Sequence, residues 1–142
     1  MRLVSTLFLA FLVTFTAGRA SADQPNHPDK ASFVIQVSDN DPGKWNLALN
    51  NAKNVQHDLG VDKTDIEIVA YGPGLNMLKL ESSVANKVED AKKDGVRIVA
   101  CGNTMKAQKV SKDDLLPGVD VVPAGVIEIG AKQQLGWSYI RP

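Results

Sequence analysis

Short runs of apolar, β-branched residues alternate along this chain with stretches in which apolar residues recur every three or four positions. Ser32 to Ser38 (SFVIQVS) is the first such run and suits a strand buried on both faces. Asp41-Pro42 then offers an N-cap followed by proline in the first helical turn, where its missing N–H costs nothing. Trp45, Ala48, Leu49, Ala52, Val55 and Leu59 follow at helical spacing, and Gly60 is placed to end the helix. The unit repeats. Asp65 to Ala70 (DIEIVA) predicts a second strand, ending in a tight Tyr71-Gly72-Pro73-Gly74 loop. A helical stretch follows, in which Ser82 or Ser83 is the cap, Val84, Val88 and Ala91 share a face, and Gly95 is the stop.

Val96 to Ala100 (VRIVA) predicts the third strand, with Asn103 or Thr104 capping a short helix that reaches about Lys109. Ser111 to Asp114 carries a capping-box pattern, and Pro117-Gly118 closes that turn. Val119 to Val122 reads as a fourth strand, Ala124 to Leu135 as a helix and Trp137 to Ile140 as a last short strand. A parallel crossover needs the length that a helix supplies, so this alternation predicts a three-layer α/β/α sandwich around a mostly parallel sheet of about five strands. Spacing leaves the strand order open.

The N-terminus reads differently. Arg2, an apolar run from Leu3 to Ala17 and the small residues Ala20-Ser21-Ala22 form a secretory signal pattern, with cleavage expected after Ala22. The run is shorter than the roughly 20 residues that span a bilayer core. A leader at 1–22, a flexible tail at 23–31 and one domain at 32–142 are therefore expected, with the mature protein periplasmic or secreted and free of the membrane. His27 falls in the tail, with no second metal ligand beside it.

Composition narrows the chemistry. The 16 Lys and Arg balance the 16 Asp and Glu, which leaves no basic footprint for nucleic acid. One cysteine excludes an intrachain disulfide framework and any all-cysteine metal site within one chain. No G-x-S-x-G, H-E-x-x-H or P-loop pattern occurs, and no cofactor or metal is implied. His57 falls near the carboxyl end of the first helix, at the wrong edge of the sheet to pair with the cysteine.

In a parallel α/β sheet the ligand site lies beyond the carboxyl ends of the strands. Those loops are Asp39-Asn40-Asp41, Tyr71 to Gly74, Cys101 to Thr104 and Pro123-Ala124-Gly125, so the single cysteine stands on the functional edge. Asp39, Tyr71, Gly72, Gly74, Gly102, Asn103 and Thr104 are the candidate ligand-binding residues. A cysteine between a strand end and a helix start meets free N–H groups that favour a thiolate, and Gly102 leaves room beside the sulfur. Lys106 and Lys109 would add positive charge if they turned toward the loop. The competing reading is a packed, inert thiol, since free cysteine is among the most buried residue types.

The run VRIVACGNTM, preceded by IEIVAYGPGL and followed by PGVDVVPAGVIEIGAKQQLGWSYIRP, resembles the DsrE/DsrF-like family, in particular its small single-domain YchN-like group. The resemblance covers about Ser32 to Pro142. Its most specific pieces are Cys101-Gly102-Asn103-Thr104 and the terminal Gln134 to Ile140. It implies a parallel five-stranded sheet flanked by helices, assembly into a homo-oligomer (trimer or hexamer), and sulfur carried as a persulfide on one cysteine at this strand end. Cys101 would then be the catalytic sulfur acceptor, with a sulfur donor or acceptor protein as partner. Three functions follow: a sulfur carrier or transferase acting through Cys101, a non-catalytic oligomeric module that binds a small ligand with Cys101 packed, and a redox-sensing thiol protein. Trp137, Tyr139 and Ile140 put apolar bulk on an expected edge strand, which predicts burial between subunits.

Overall fold

The structure, a computed structural model, describes residues 30–142. The expected leader, most of the expected tail and His27 lie outside the described residues. The tail was expected to run to residue 31, but β1 (Ala31–Val37) already begins at Ala31, and Lys30 pairs with Asp65 at 3.3 Å. The strand thus opens one residue before the expected domain start.

Helix α1 (Pro42–Leu59) forms as its sequence dictates. Asp41 Oδ1 accepts the N–H of Gly43 at 2.7 Å and of Lys44 at 3.4 Å, and Pro42 occupies the first turn. At the other end Gly60 adopts φ +96° while its N–H donates to Gln56 O at 2.9 Å. Trp45, Ala48, Leu49 and Ala52 are buried on one stripe.

The remaining elements are β2 (Thr64–Ala70), α2 (Ala85–Lys93), β3 (Arg97–Cys101), α3 (Gly102–Gln108), β4 (Asp120–Val122), α4 (Gly125–Gln134) and β5 (Ser138–Ile140). All neighbouring strands pair in parallel, in the order β4-β3-β2-β1-β5. The chain steps from β1 to β4 in one direction and then returns across the sheet to β5. Right-handed crossovers place the three outward connections on one face and the return connection on the other. The packing agrees. Trp45, Val88 and Met105 from α1, α2 and α3 join Ile35, Ile68 and Ile98 in the larger core, whereas Ile129 of α4 joins Val34, Val69, Val99 and Val122 in a second, smaller one. One helix about 10 Å across therefore covers a face whose strands lie about 4.8 Å apart, and Val126, Ile127, Leu135 and Tyr139 remain exposed there.

Three local expectations are corrected. Gly72–Leu78 folds as consecutive 3-10 turns rather than a loop leading into an α-helix. Neither serine occupies the α2 cap position, which is Val84; Ser82 Oγ only accepts the Val84 N–H at 3.4 Å. Helix α3 begins at Gly102 rather than after Asn103, so Cys101 is both the last residue of β3 and the N-cap. Gly102 permits this direct junction: a Cβ there would stand 3.1 Å from Val122 O and 3.4 Å from Pro123 O. The capping box at Ser111 and Asp114 forms as expected.

Candidate functional site

Cys101 lies where the topology opens a crevice. The connection after β3 leaves toward the α3 face and that after β4 leaves toward the α4 face, so the two strand ends diverge at a switch point of the kind where α/β sheets bind ligands. Cys101 pairs in register with Val122, and the chain reaches Gly125 three residues later. Alternation along β3 puts Arg97, Val99 and Cys101 on the α4 face, with Ile98 and Ala100 on the other.

The thiol stands at the start of α3, with the Thr104 hydroxyl and the N–H groups of Gly125, Thr104 and Asn103 in its surroundings. Burial pushes the Cys101 thiol up, these polar groups draw it down, and the balance lies below the ordinary thiol value, although the sulfur does not cap the helix by a hydrogen bond. The Thr104 hydroxyl is itself oriented, because its oxygen accepts the Gly72 N–H at 2.9 Å. The Asn103 N–H donates to Pro123 O at 3.1 Å. Cys101 as a residue is only 6% exposed. That limits approach to slender groups.

The expected ligand residues separate into two groups. Gly72, Gly102, Asn103, Thr104 and Tyr71 surround Cys101 or support its neighbours. Gly72, at φ +54°, also accepts from Gln108 Nε2 at 3.0 Å, which ties the β2 end to α3 on both sides. Tyr71 is half-buried, and burial pushes its hydroxyl up. Asp39 and Gly74 serve elsewhere. Asp39 lies two residues beyond β1, two strands from the one that carries Cys101, and pairs with Lys44 at 2.8 Å while its carbonyl accepts from Trp45 Nε1 at 2.7 Å. Gly74 permits close packing, since a Cβ there would collide with the Val37 carbonyl and stand 3.0 Å from Ser38 Cα. Lys106 and Lys109 line a hollow with Gly102, Met105, Val110 and Val121. His57 is exposed beside Asp58, near the carboxyl end of α1.

Two features escaped the sequence reading. Gly125 packs tightly where α4 begins, since a Cβ there would lie 3.2 Å from both Tyr71 Cβ and Val69 Cγ1, and its N–H is among the polar groups that draw the Cys101 thiol down. Glu67, in the middle strand, is fully buried. Its Oε2 accepts from Arg97 at 2.6 Å and pairs with Lys132 at 3.1 Å, while Oε1 has no partner among the described residues. Arg97 also reaches Asp120 at 3.2 Å and Glu128 at 3.4 Å. The alternation of DIEIVA marked Glu67 as facing one side of the sheet, but not what would cover it. Among the described residues no group of three or more His, Cys, Asp or Glu side chains is placed to hold a metal ion, and no helix is long and apolar enough to cross a membrane.

Comparison with known proteins places this geometry in a wider set. The model of the DsrE/DsrF-like family matches residues 29–142. A protein of unknown function from Methanobacterium thermoautotrophicum, MTH1491, is 39% identical over 80% of this chain and 100% of its own, with a TM-score of 0.76. BT1422 of Bacteroides thetaiotaomicron (15% identity, 78% of this chain, 94% of that one, TM-score 0.65) and the ychN protein of E. coli (12%, 81%, 100%, 0.60) share the fold. No curated protein matches.

Proposed function

Because the chain belongs to the DsrE/DsrF-like family, we propose that Cys101 accepts sulfane sulfur and carries it as a persulfide. The observation that carries this reading is the place of the only cysteine, at the β3–α3 junction on the carboxyl edge of the sheet, where the surrounding Thr104, Asn103 and Gly125 polar groups draw the thiol below its ordinary value despite burial. The Cys101 thiolate attacks the outer sulfur of a donor persulfide; the donor S–S bond breaks, a new S–S bond forms on Cys101, and the donor leaves as a thiolate. Sulfur is transferred without net oxidation. The reverse attack, by an acceptor thiolate on the outer sulfur of Cys101, completes the relay with a partner protein or small thiol. The low exposure of Cys101 suits a terminal sulfur atom better than a bulky disulfide.

Loading with polysulfide followed by cyanide tests this, with thiocyanate expected in proportion to Cys101 and none from Cys101→Ser. The same burial supports a second reading, an oligomeric binding module in which Cys101 is packed. Thiocyanate yields equal in wild type and Cys101→Ser would favour it.

The assembly and the location belong to the same proposal. The sparsely covered α4 face, with Ile127 70% and Leu135 72% exposed, is read as a contact between copies of the chain in a homo-oligomer. The leader-like residues 1–22 are read as an export signal, cleaved near Ala22 to release a periplasmic or secreted protein.

A further inference from the structure

Lys106, Lys109 and Lys112 line an open hollow of about 400 Å³ beside α3 and β4, together with the apolar side chains of Met105, Val110 and Val121. The chain as a whole balances 16 cationic residues against 16 anionic ones, yet no Asp or Glu lines this hollow. None of the three lysines makes an ion pair among the described residues. Nearby Asp114 is engaged by Ser111, whose N–H and hydroxyl reach it at 2.7 and 2.6 Å. The groove between α1 and α2 is different in kind, since it sets Lys53 and Lys87 against Asp90 and Asp94. One of the hollow's charges also costs backbone strain. Lys109 is the only non-glycine residue with a positive φ among the described residues, at +56°. This is the left-handed position just past a helix, which glycine adopts without steric penalty. Lys106 already supplies the cation that the carboxyl end of α3 favours, so the helix dipole does not account for a second one at a strained position. Beside them Val121 is 41% exposed, and β4 ends the sheet with no strand on its outer side.

We propose that this hollow is a docking surface for an extended acidic segment of a partner protein. The carboxylates of the segment meet the three ammonium groups, and its apolar side chains cover Val110 and Val121. A protein segment fits better than a free anion for two reasons. The lining is partly apolar, from which a small oxoanion gains nothing, and the free edge of β4 leaves room for an extended backbone. Gly102 belongs to the same lining and directly follows Cys101, so a seated segment lies beside the β3–α3 junction. The docking does not depend on what Cys101 carries.

The test is fluorescence anisotropy of a labelled peptide of alternating Asp and Val with the full chain at low salt, beside a peptide of alternating Asn and Val. The acidic peptide is expected to bind saturably, and the neutral one at least about tenfold more weakly. Lys106→Gln combined with Lys112→Gln is expected to weaken binding about three- to tenfold, as loss of two partly exposed ion pairs implies, and Val121→Glu by at least as much. Lys53→Gln combined with Lys63→Gln removes the same charge from α1 and from the turn before β2, and is expected to stay within about twofold of wild type. Lys109→Gly is expected to raise the unfolding temperature while it weakens binding about two- to fivefold. Cys101→Ser is expected to bind as wild type does, so failure of the docking and failure of the sulfur chemistry are read apart. The proposal is overturned if the acidic peptide does not bind, if the neutral peptide binds as tightly, or if the Lys53 and Lys63 variant loses as much as the Lys106 and Lys112 variant. Displacement of the peptide by millimolar sulfate at constant ionic strength would mark the hollow as a small-anion site and overturn it equally.

Discussion

The Thr104 hydroxyl oxygen accepts the Gly72 N–H at 2.9 Å, which ties the end of β2 to the first turn of α3 beside Cys101. The same hydroxyl is among the polar groups that draw the Cys101 thiol down. Thr104→Val keeps the shape and removes the donor. Alkylation of Cys101 at a pH below its midpoint is expected to slow about two- to tenfold, since one polar contact of this kind is worth about 0.5–1.5 kcal/mol net. Thr104→Ser should retain the wild-type rate, and a Thr104→Val profile identical to wild type would remove the hydroxyl from the account.

Gly125 admits no side chain without displacement of Tyr71 and Val69. Gly125→Ala is expected to destabilise the fold by about 1–3 kcal/mol through overpacking, and to slow Cys101 alkylation as the N–H moves. Chemical denaturation and the same alkylation assay measure the two effects separately.

Glu67 sets a pH dependence of stability. Burial raises its carboxyl above 4.5, so the folded chain binds that proton more tightly than the unfolded one. The associated stabilisation is complete below 4.5 and is lost as pH rises through the raised value. Relative to Glu67→Gln, wild type should therefore lose stability as pH rises above 4.5. Parallel denaturation curves for the two proteins across that range would contradict the assignment.

Asp41 caps α1 far from the α4 layer. Asp41→Ala is expected to cost about 1 kcal/mol of stability and to leave the sulfur chemistry untouched, which thermal unfolding beside cyanide-released thiocyanate would check.

The exposed apolar residues of α4 predict self-association. Light scattering should show an oligomer for wild type and smaller species for Ile127→Glu, which places a charge on that face. A wild-type monomer at micromolar concentration would contradict the assembly.

Strand and helix positions were legible because their signals are local. SFVIQVS, DIEIVA and VRIVA are buried runs that could only pair inside a sheet, and Asp41-Pro42 with Gly60 bracket a helix by their own chemistry. The cysteine at a strand end was legible for the same reason. Strand order was not, because it depends on contacts between segments far apart in the chain. That order decides which loops meet at the sulfur: it brings Gly125 to Cys101 across the β3–β4 divide and leaves Asp39 two strands away. Thr104 was legible as a candidate cap yet forms no cap, since Gly102 allows the helix to start earlier. Glu67 shows a further limit, as a carboxylate in an apolar strand carries no sign in sequence of the Lys132 and Arg97 that hold it.

The central claim, that Cys101 holds sulfane sulfur, is met most directly by intact-mass analysis of wild type and Cys101→Ser after incubation with polysulfide or a persulfide donor, before and after reductant. The account predicts a gain of one or more sulfur atoms on wild type alone, reversed by reductant. An unchanged wild-type mass, or the same gain on Cys101→Ser, would contradict it.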